Sequence, residues 1–221
     1  MLRIGIVDDH QLFRKSLALL VNSFEDTKVV IEAANGQAFL DALENNPIDL
    51  VLLDIQMPKM NGFDTCRLLR QHYPEIKILV VSQLTTKESI HKIMELGADG
   101  YFTKNSASEQ LEEAIRRLHE NGFYFGTELG KVLREAILWQ KKTPSPAKVA
   151  EITAALTPRE IDIIAMAAQE LNSSEIGERL SINVRTVDTH RKRIMEKTNS
   201  RNFIGVVLYA LRHEFISLDQ I

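Results

Sequence analysis

Asp49-Leu-Val-Leu-Leu-Asp54-Ile-Gln-Met-Pro58 is the stretch on which the reading of the first half turns. Four apolar residues in a row, with no polar alternation, describe a strand buried on both faces, and such strands belong to parallel sheets covered by helices on each side. Similar short runs lie outward of it at Leu2–Val7, Lys28–Ala33, Ile76–Val81 and Gly100–Thr103, the central one being taken as Asp49–Leu53. Helical patterns at about 11–24, 36–45, 62–72, 86–96 and 107–120 alternate with them. Two of these helices carry capping-box signatures, Thr85…Glu88 and Ser106…Glu109, in which side chains satisfy exposed backbone N–H groups. The alternation predicts an α/β unit over 1–121, a doubly wound five-stranded parallel sheet.

The character changes after Gly122. Residues 123–142 read as helical and end in Lys141-Lys142, and Thr143-Pro-Ser-Pro146 reads as an extended tether. Residues 122–155 are therefore expected to form a partly helical linker. Beyond it the strand signals stop. Thr157-Pro158-Arg159-Glu160 combines an N-cap, a proline at the first helical position and a capping-box glutamate. Asn172…Glu175 opens a second helix, Asn183 a third, and a fourth is expected from about 201 to 213. Four short helices predict a small all-α module over 156–217.

Of the 221 residues, 44% are hydrophobic and 26% charged, the balance of an ordinary globular chain. The apolar runs are core-sized, so no membrane span is expected. The N-terminus enters a strand pattern at once, without the apolar region of a signal peptide. Cys66 is alone, which fits a reducing cytoplasm and reads as a small buried thiol. Charge is unevenly shared. Residues 1–120 carry 13 Lys+Arg against 18 Asp+Glu, a net of −5, and 121–221 carry 14 against 12, a net of +2. Within 182–201 six basic residues face two acidic ones, which suggests a polyanionic partner for the second half.

In an open parallel sheet, ligands bind beyond the carboxyl ends of the strands. Asp8 and Asp9 end the first strand, Asp54 the third, Ser82 the fourth and Lys104 the fifth. Any one of these is ordinarily a turn residue, but three carboxylates converging with a hydroxyl and an ammonium are not. Two like charges about 4 Å apart repel by roughly 4 kcal/mol at an effective dielectric near 20. The cluster must share a cation, take up protons, or both. Oxygen ligands with open positions suit Mg²⁺, beside which a carboxylate can act as a nucleophile toward phosphorus.

Val-Asp-Asp-His (7–10), Leu-Asp-Ile-Gln-Met-Pro (53–58), Asn61-Gly62, Val-Val-Ser (80–82) and Gly-Ala-Asp-Gly-Tyr-Phe-Thr-Lys (97–104) resemble the receiver domains of two-component response regulators. The resemblance spans residues 1–120 and implies a flavodoxin-like fold. It implies that Asp54 is the phosphoacceptor for a sensor histidine kinase. Mg²⁺ would be bound by Asp9, Asp54 and the backbone carbonyl of Gln56, with Asp8 acting mainly through water. Lys104 and Ser82 would hold the phosphoryl group, and Tyr101 would switch rotamer with Ser82. Two positions depart from the pattern: Gln83 replaces a small residue, and Asn105 replaces a proline.

In the second half, Val184, Val187 and Ile194 recur at helical spacing and are expected to face a core. Arg185, Asp188, Thr189, Lys192 and Glu196 then share the outward face, flanked by Arg191, Arg193 and Lys197. Leu-Thr-Pro-Arg-Glu-Ile (156–161), Ser-Glu-Ile-Gly-Glu-Arg-Leu-Ser-Ile (174–182) and Arg-Thr-Val-Asp-Thr-His (185–190) are similar to the LuxR-type helix-turn-helix, which with a receiver is the NarL/FixJ arrangement. By that resemblance Thr189 and Lys192 reach base edges, and Thr186, Arg191 and Arg193 lie near phosphates. Asp188 corresponds to a position that is often basic, and Glu170 to a turn glycine. His190 reads as structural. The last helix, with Phe203, Val207, Ala210 and Leu211, either packs the core, pairs two subunits on DNA, or does both. The expected function is that of a phosphorylation-controlled DNA-binding transcriptional regulator and not of an enzyme. Two alternatives stand beside it. A phosphohydrolase of the haloacid-dehalogenase type would need an aspartate where Gln56 stands, and a phosphorylation-independent receiver scaffold would not need the full acidic set.

Overall fold

The computed structural model describes residues 1–83, 86–124, 126 and 156–217, the side chain of Lys87 excepted. Strands β1 (Leu2–Val7), β2 (Thr27–Ala33), β3 (Leu50–Leu53), β4 (Lys77–Ser82) and β5 (Gly100–Thr103) alternate with helices α1 (Gln11–Ser23), α2 (Gly36–Leu43), α3 (Gly62–His72), α4 (Lys87–Glu95) and α5 (Ser108–Asn121). The sheet is parallel, in the order β2-β1-β3-β4-β5. Strand order reverses beside β1, which places a crevice at the carboxyl ends of β1 and β3.

The all-apolar strands are explained by two covered faces. Ile4, Ile6, Leu50, Leu52, Leu79 and Val81 pack with Leu17, Ala18 and Val21 of α1 and with Leu111, Ala114, Ile115 and Leu118 of α5. The alternate strand residues Val51, Leu53, Ile78 and Val80 are buried too, as are Phe39 of α2, Cys66 and Leu69 of α3, and Ile90 and Ile93 of α4. Each such side chain contributes about 1.5–3 kcal/mol relative to exposure. Arg70 of α3 pins the far end of the sheet. It is ion-paired with buried Asp99 and donates to the carbonyls of Gly97 and Ile76, each at 2.6 Å.

Two local expectations are corrected. The Ser106 hydroxyl lies 2.6 Å from Thr103 Oγ1, so Ala107 becomes the N-cap of α5 and no capping box forms there. For α4 the N-cap is Thr86, and Thr85 lies outside the described residues. The expected helix from 123 does not begin there. Gly122 ends α5 with φ 79, and Tyr124 then forms a parallel bridge with Gly100, its N–H donating to the Asp99 carbonyl at 2.9 Å. The chain has turned back along the open edge of β5, whose free backbone groups are a ready partner. The rest of the linker, including Lys141-Lys142 and the 143–146 tether, lies outside the described residues.

The chain divides into two units, Met1–Glu128 and Leu129–Ile221. In the second, α6 (Pro158–Ala168), α7 (Ser173–Leu180), α8 (Val184–Lys197) and α9 (Phe203–Arg212) are the described helices. Both predicted capping boxes form, Thr157 with Glu160 and Asn172 with Glu175, and Asn183 caps α8 through the Arg185 N–H. Ile163, Ile164, Ile176, Val187, Ile194, Ile204 and Val206 fill the core. Val184 does not join them. It is 41% exposed because the first residue of α8 stands at the rim. No described helix is long and apolar enough to cross a membrane.

Candidate functional site

Strands β1, β3, β4 and β5 each end in or just before a polar residue on one edge of the sheet. The Asp54 N–H donates to the Val7 carbonyl at 2.9 Å, and the Lys104 N–H to the Ser82 carbonyl at 3.0 Å, so the backbone register itself aligns the strand ends. Asp8 and Asp54 are buried. Asp54 Oδ1 accepts from the N–H of Ile55 at 2.7 Å and, more weakly, from that of Gln56 at 3.4 Å. Lys104 Nζ lies 2.6 Å from Asp54 Oδ2 and 2.6 Å from Asp8 Oδ2. Gly62 is needed here, because a Cβ on it would stand 2.2 Å from the Asp54 carbonyl oxygen. Asn61 caps α3 through the Asp64 N–H and sets the distance between that helix and the Asp54 loop.

Burial pulls the Lys104 ammonium down, but hydrogen bonds to Asp54 and Asp8 and their charges outweigh it, leaving Lys104 above its ordinary value. Beneath it, the Phe13 ring centroid lies 4.7 Å from Nζ, and Arg14 donates to the Asp8 carbonyl at 2.5 Å. Sequence reading passed over both. Their only signal was position, one turn beyond Asp9 on α1. Ser82 is fully buried, and Tyr101 is 1% exposed with its ring inside the unit. Gln83 is at the surface.

Three carboxylates and one ammonium leave a formal excess of two negative charges, which a divalent cation would cancel. Asp8, Asp9, His10 and Asp54 each offer a ligand atom, all within 4.8 Å of one another. Asp9 Oδ1 is buried and accepts no hydrogen bond; His10 Nδ1 lies 3.0 Å from it. An orphaned carboxylate oxygen beside two further carboxylates is what an oxygen-preferring Mg²⁺ requires, and the nitrogen of His10 is not. An open depression lined by Asp9, Ile55, Gln56, Met57, Pro58, Asn61 and Phe63 gives access.

On α8, Arg185, Thr186, Thr189, Lys192, Arg193 and Glu196 are exposed. Asp188 and Lys197 are exposed too, but they and half-buried Arg191 are tied to neighbouring helices. Lys197 lies 2.7 and 2.9 Å from the carboxylate oxygens of Glu160, itself buried. Asp188 Oδ1 accepts from the Ser173 hydroxyl at 2.7 Å, and Arg191 donates to the same hydroxyl at 3.0 Å. Phe203, Val207, Ala210 and Leu211 are all buried within the second unit, so core packing accounts for them. The backbone expects a glycine at Glu170 and retains its geometry without one, with φ 62.

A receiver sheet with an acidic pocket, followed by a helix-turn-helix, defines the class. Residues 4–116 match the response regulator receiver domain, and residues 154–210 match the bacterial regulatory proteins of the luxR family. The chain belongs to the response regulators of the NarL/FixJ type, a family of transcriptional regulators. It is 31% identical over 217 residues to the oxygen regulatory protein NreC of Staphylococcus epidermidis, covering 97% of this chain and 99% of the relative. It is 28% identical over 213 residues to the response regulator UvrY of Escherichia coli, covering 96% and 95%. Among solved structures, the response regulator ChrA of a heme-sensing two-component system is 28% identical, with a TM-score of 0.50 and coverage of 97% and 98%.

Proposed function

We propose that Asp54 accepts a phosphoryl group from a sensor histidine kinase and that this controls binding of the chain to double-stranded DNA. The observation that carries the reading is the pairing of Asp54 with Lys104 at 2.6 Å beside the orphaned oxygen of Asp9. One Asp54 carboxylate oxygen attacks phosphorus, the new O–P bond forms as the P–N bond of the kinase phosphohistidine breaks, and the electron pair returns to the imidazole. Asp9, Asp54 and the backbone carbonyl of Gln56 would hold Mg²⁺, with Asp8 acting through water; when bound, the ion neutralises charge on the phosphoryl oxygens. Lys104 then leaves its carboxylate partners for the phosphoryl group. Ser82 donates its hydroxyl to a phosphoryl oxygen, and Tyr101 packs against the repositioned β4 end.

The receiver is assigned to 1–121, the linker to 122–155 and the DNA-binding domain to 156–217. Thr189 and Lys192 face base edges, Thr186 and Arg193 face phosphates, and Arg185 lies on the same DNA-facing surface. Homodimers on DNA meet through the receiver and through the half-buried face of α9, around Leu208 and Tyr209, rather than its buried one. The compartment is the cytoplasm, where kinase and DNA are both reached.

Labelling by acetyl phosphate tests the reading. The wild-type chain takes up one phosphoryl group in the presence of Mg²⁺ and none with the ion chelated, and Asp54→Asn takes up none while keeping its fold. Wild-type labelling of Asp54→Asn would move the acceptor elsewhere. A chain that never labels would be a scaffold, and one that turns the donor over would be a hydrolase.

A further inference from the structure

Helices α7 and α8 are joined by more than apolar packing. Ser173 is the first residue of α7 and is 9% exposed. Its hydroxyl donates to Asp188 and accepts from Arg191, so one oxygen ties two residues of α8. Asp188 and Arg191 are three apart in the helix and leave it on one face. On the far side, the Arg191 guanidinium carbon lies 4.4 Å from the ring centroid of Phe203, the first residue of α9. The chain of contacts runs from the start of α7, across α8, to the start of α9. Burial pushes Arg191 down to about 10, against the opposing charge of Asp188, so the guanidinium is still charged at neutral pH.

A phosphate-binding arginine extends into water and offers its fork to the anion. This one lies over a phenyl ring and donates to a buried hydroxyl, which fixes its plane. The exposed Asp188 carboxylate would repel a phosphate, which makes it a poor DNA contact. Here Ser173 engages one oxygen of Asp188.

We propose that Ser173, Asp188, Arg191 and Phe203 form a strut that sets the rotation of α8 on its neighbours, so that Asp188 and Arg191 are positioning residues and not DNA contacts. This rests on the reading of α8 as the helix that enters the groove. Base reading then falls to Thr189 and Lys192, on the face the strut holds outward.

The test uses the full-length chain and a duplex that the wild-type chain selects from a randomised library, with single base-pair variants at several salt concentrations. Ser173→Ala should weaken binding about fivefold, the equivalent of one hydrogen bond, in the wild-type background and clearly less in Asp188→Ala, where only the Arg191–Ser173 bond is left to lose. It should relax preference at the base pair that Lys192→Ala also relaxes. Arg191→Gln should leave the slope of log affinity against log salt unchanged, whereas Arg193→Ala should flatten it by about one. A slope lowered by about one in Arg191→Gln would make Arg191 a phosphate contact and overturn the strut. So would a base preference lost in Asp188→Ala and kept in Ser173→Ala. If Arg191→Gln fails to fold, the Ser173–Asp188 cycle decides alone. Unchanged binding by both Lys192→Ala and Arg193→Ala would instead remove α8 from the groove, and the strut's role with it.

Discussion

Glu170 holds a left-handed backbone, φ 62, in the turn between α6 and α7. A side chain there crowds the following carbonyl at a cost of about 1–2 kcal/mol, part of which glycine recovers despite its freer unfolded chain. Glu170→Gly should therefore raise stability by about 0.5–1 kcal/mol, read as a higher denaturation midpoint with unchanged DNA binding. Lys104→Ala acts on function instead. It removes the ammonium between Asp8 and Asp54 but not the nucleophile, so the variant should still label with acetyl phosphate, while labelling no longer increases its affinity for DNA. Full activation by the donor would contradict the role given to Lys104. At this scale the sequence was readable wherever a residue's place follows from a strand end, as for Asp8, Asp54, Ser82 and Lys104. It was not readable where contact depends on side-chain direction across a fold. Nothing in the spacing of Arg70 and Asp99 announces their ion pair, and helical periodicity put Asp188 at the surface, where it is, without showing that one of its oxygens reaches Ser173.

Helix ends show why some elements were legible and others were not. Thr157, Asn172 and Asn183 cap as predicted, each side chain accepting from a backbone N–H in the first turn of its own helix. Ser106 carries the same signature and fails, since the Thr103 hydroxyl, three residues back, takes its place as partner. In α6 the cap has a second duty. Glu160 accepts from the Thr157 N–H at 2.8 Å and pairs with Lys197 at the end of α8, linking the two helices. Burial raises the Glu160 carboxyl, but the Lys197 hydrogen bond and the Thr157 N–H outweigh it, and the group sits below its ordinary value of 4.5. For a carboxyl lowered by folding, the stabilisation is present above the unfolded value and is lost as pH falls through the folded one. Amide exchange in α6 and α8 should accelerate in the wild-type chain as pH falls below the ordinary carboxylate range. Glu160→Gln should exchange faster at neutral pH, by the equivalent of about 1–3 kcal/mol, and lose that acid dependence. Equal acid sensitivity in both chains would mean that other carboxylates govern the module.

On the scale of the whole molecule, the sequence disclosed two folded units of different class because the apolar period changes from strand runs to helical spacing once Gly122 is passed. Where the first unit truly ends was not legible. Tyr124 carries no strand signal of its own, and its bridge to Gly100 exists only because β5 leaves an open edge. The two prolines in Thr143-Pro-Ser-Pro146 predict that limited proteolysis cuts between about Lys141 and Ala155 and leaves two stable fragments. Preferential cleavage within 1–120 would place the boundary elsewhere. The strand order has a further consequence, in the time taken to make the protein. Asp54 is synthesised fifty residues before Lys104, and β5, which ends just before the lysine, is the last strand to join the sheet, beside β4. A nascent chain thus holds the Asp8, Asp9 and Asp54 carboxylates long before it holds the ammonium that balances them. On the proposed reading, the link from phosphoryl uptake to DNA binding is completed only once the last strand and its lysine have been made.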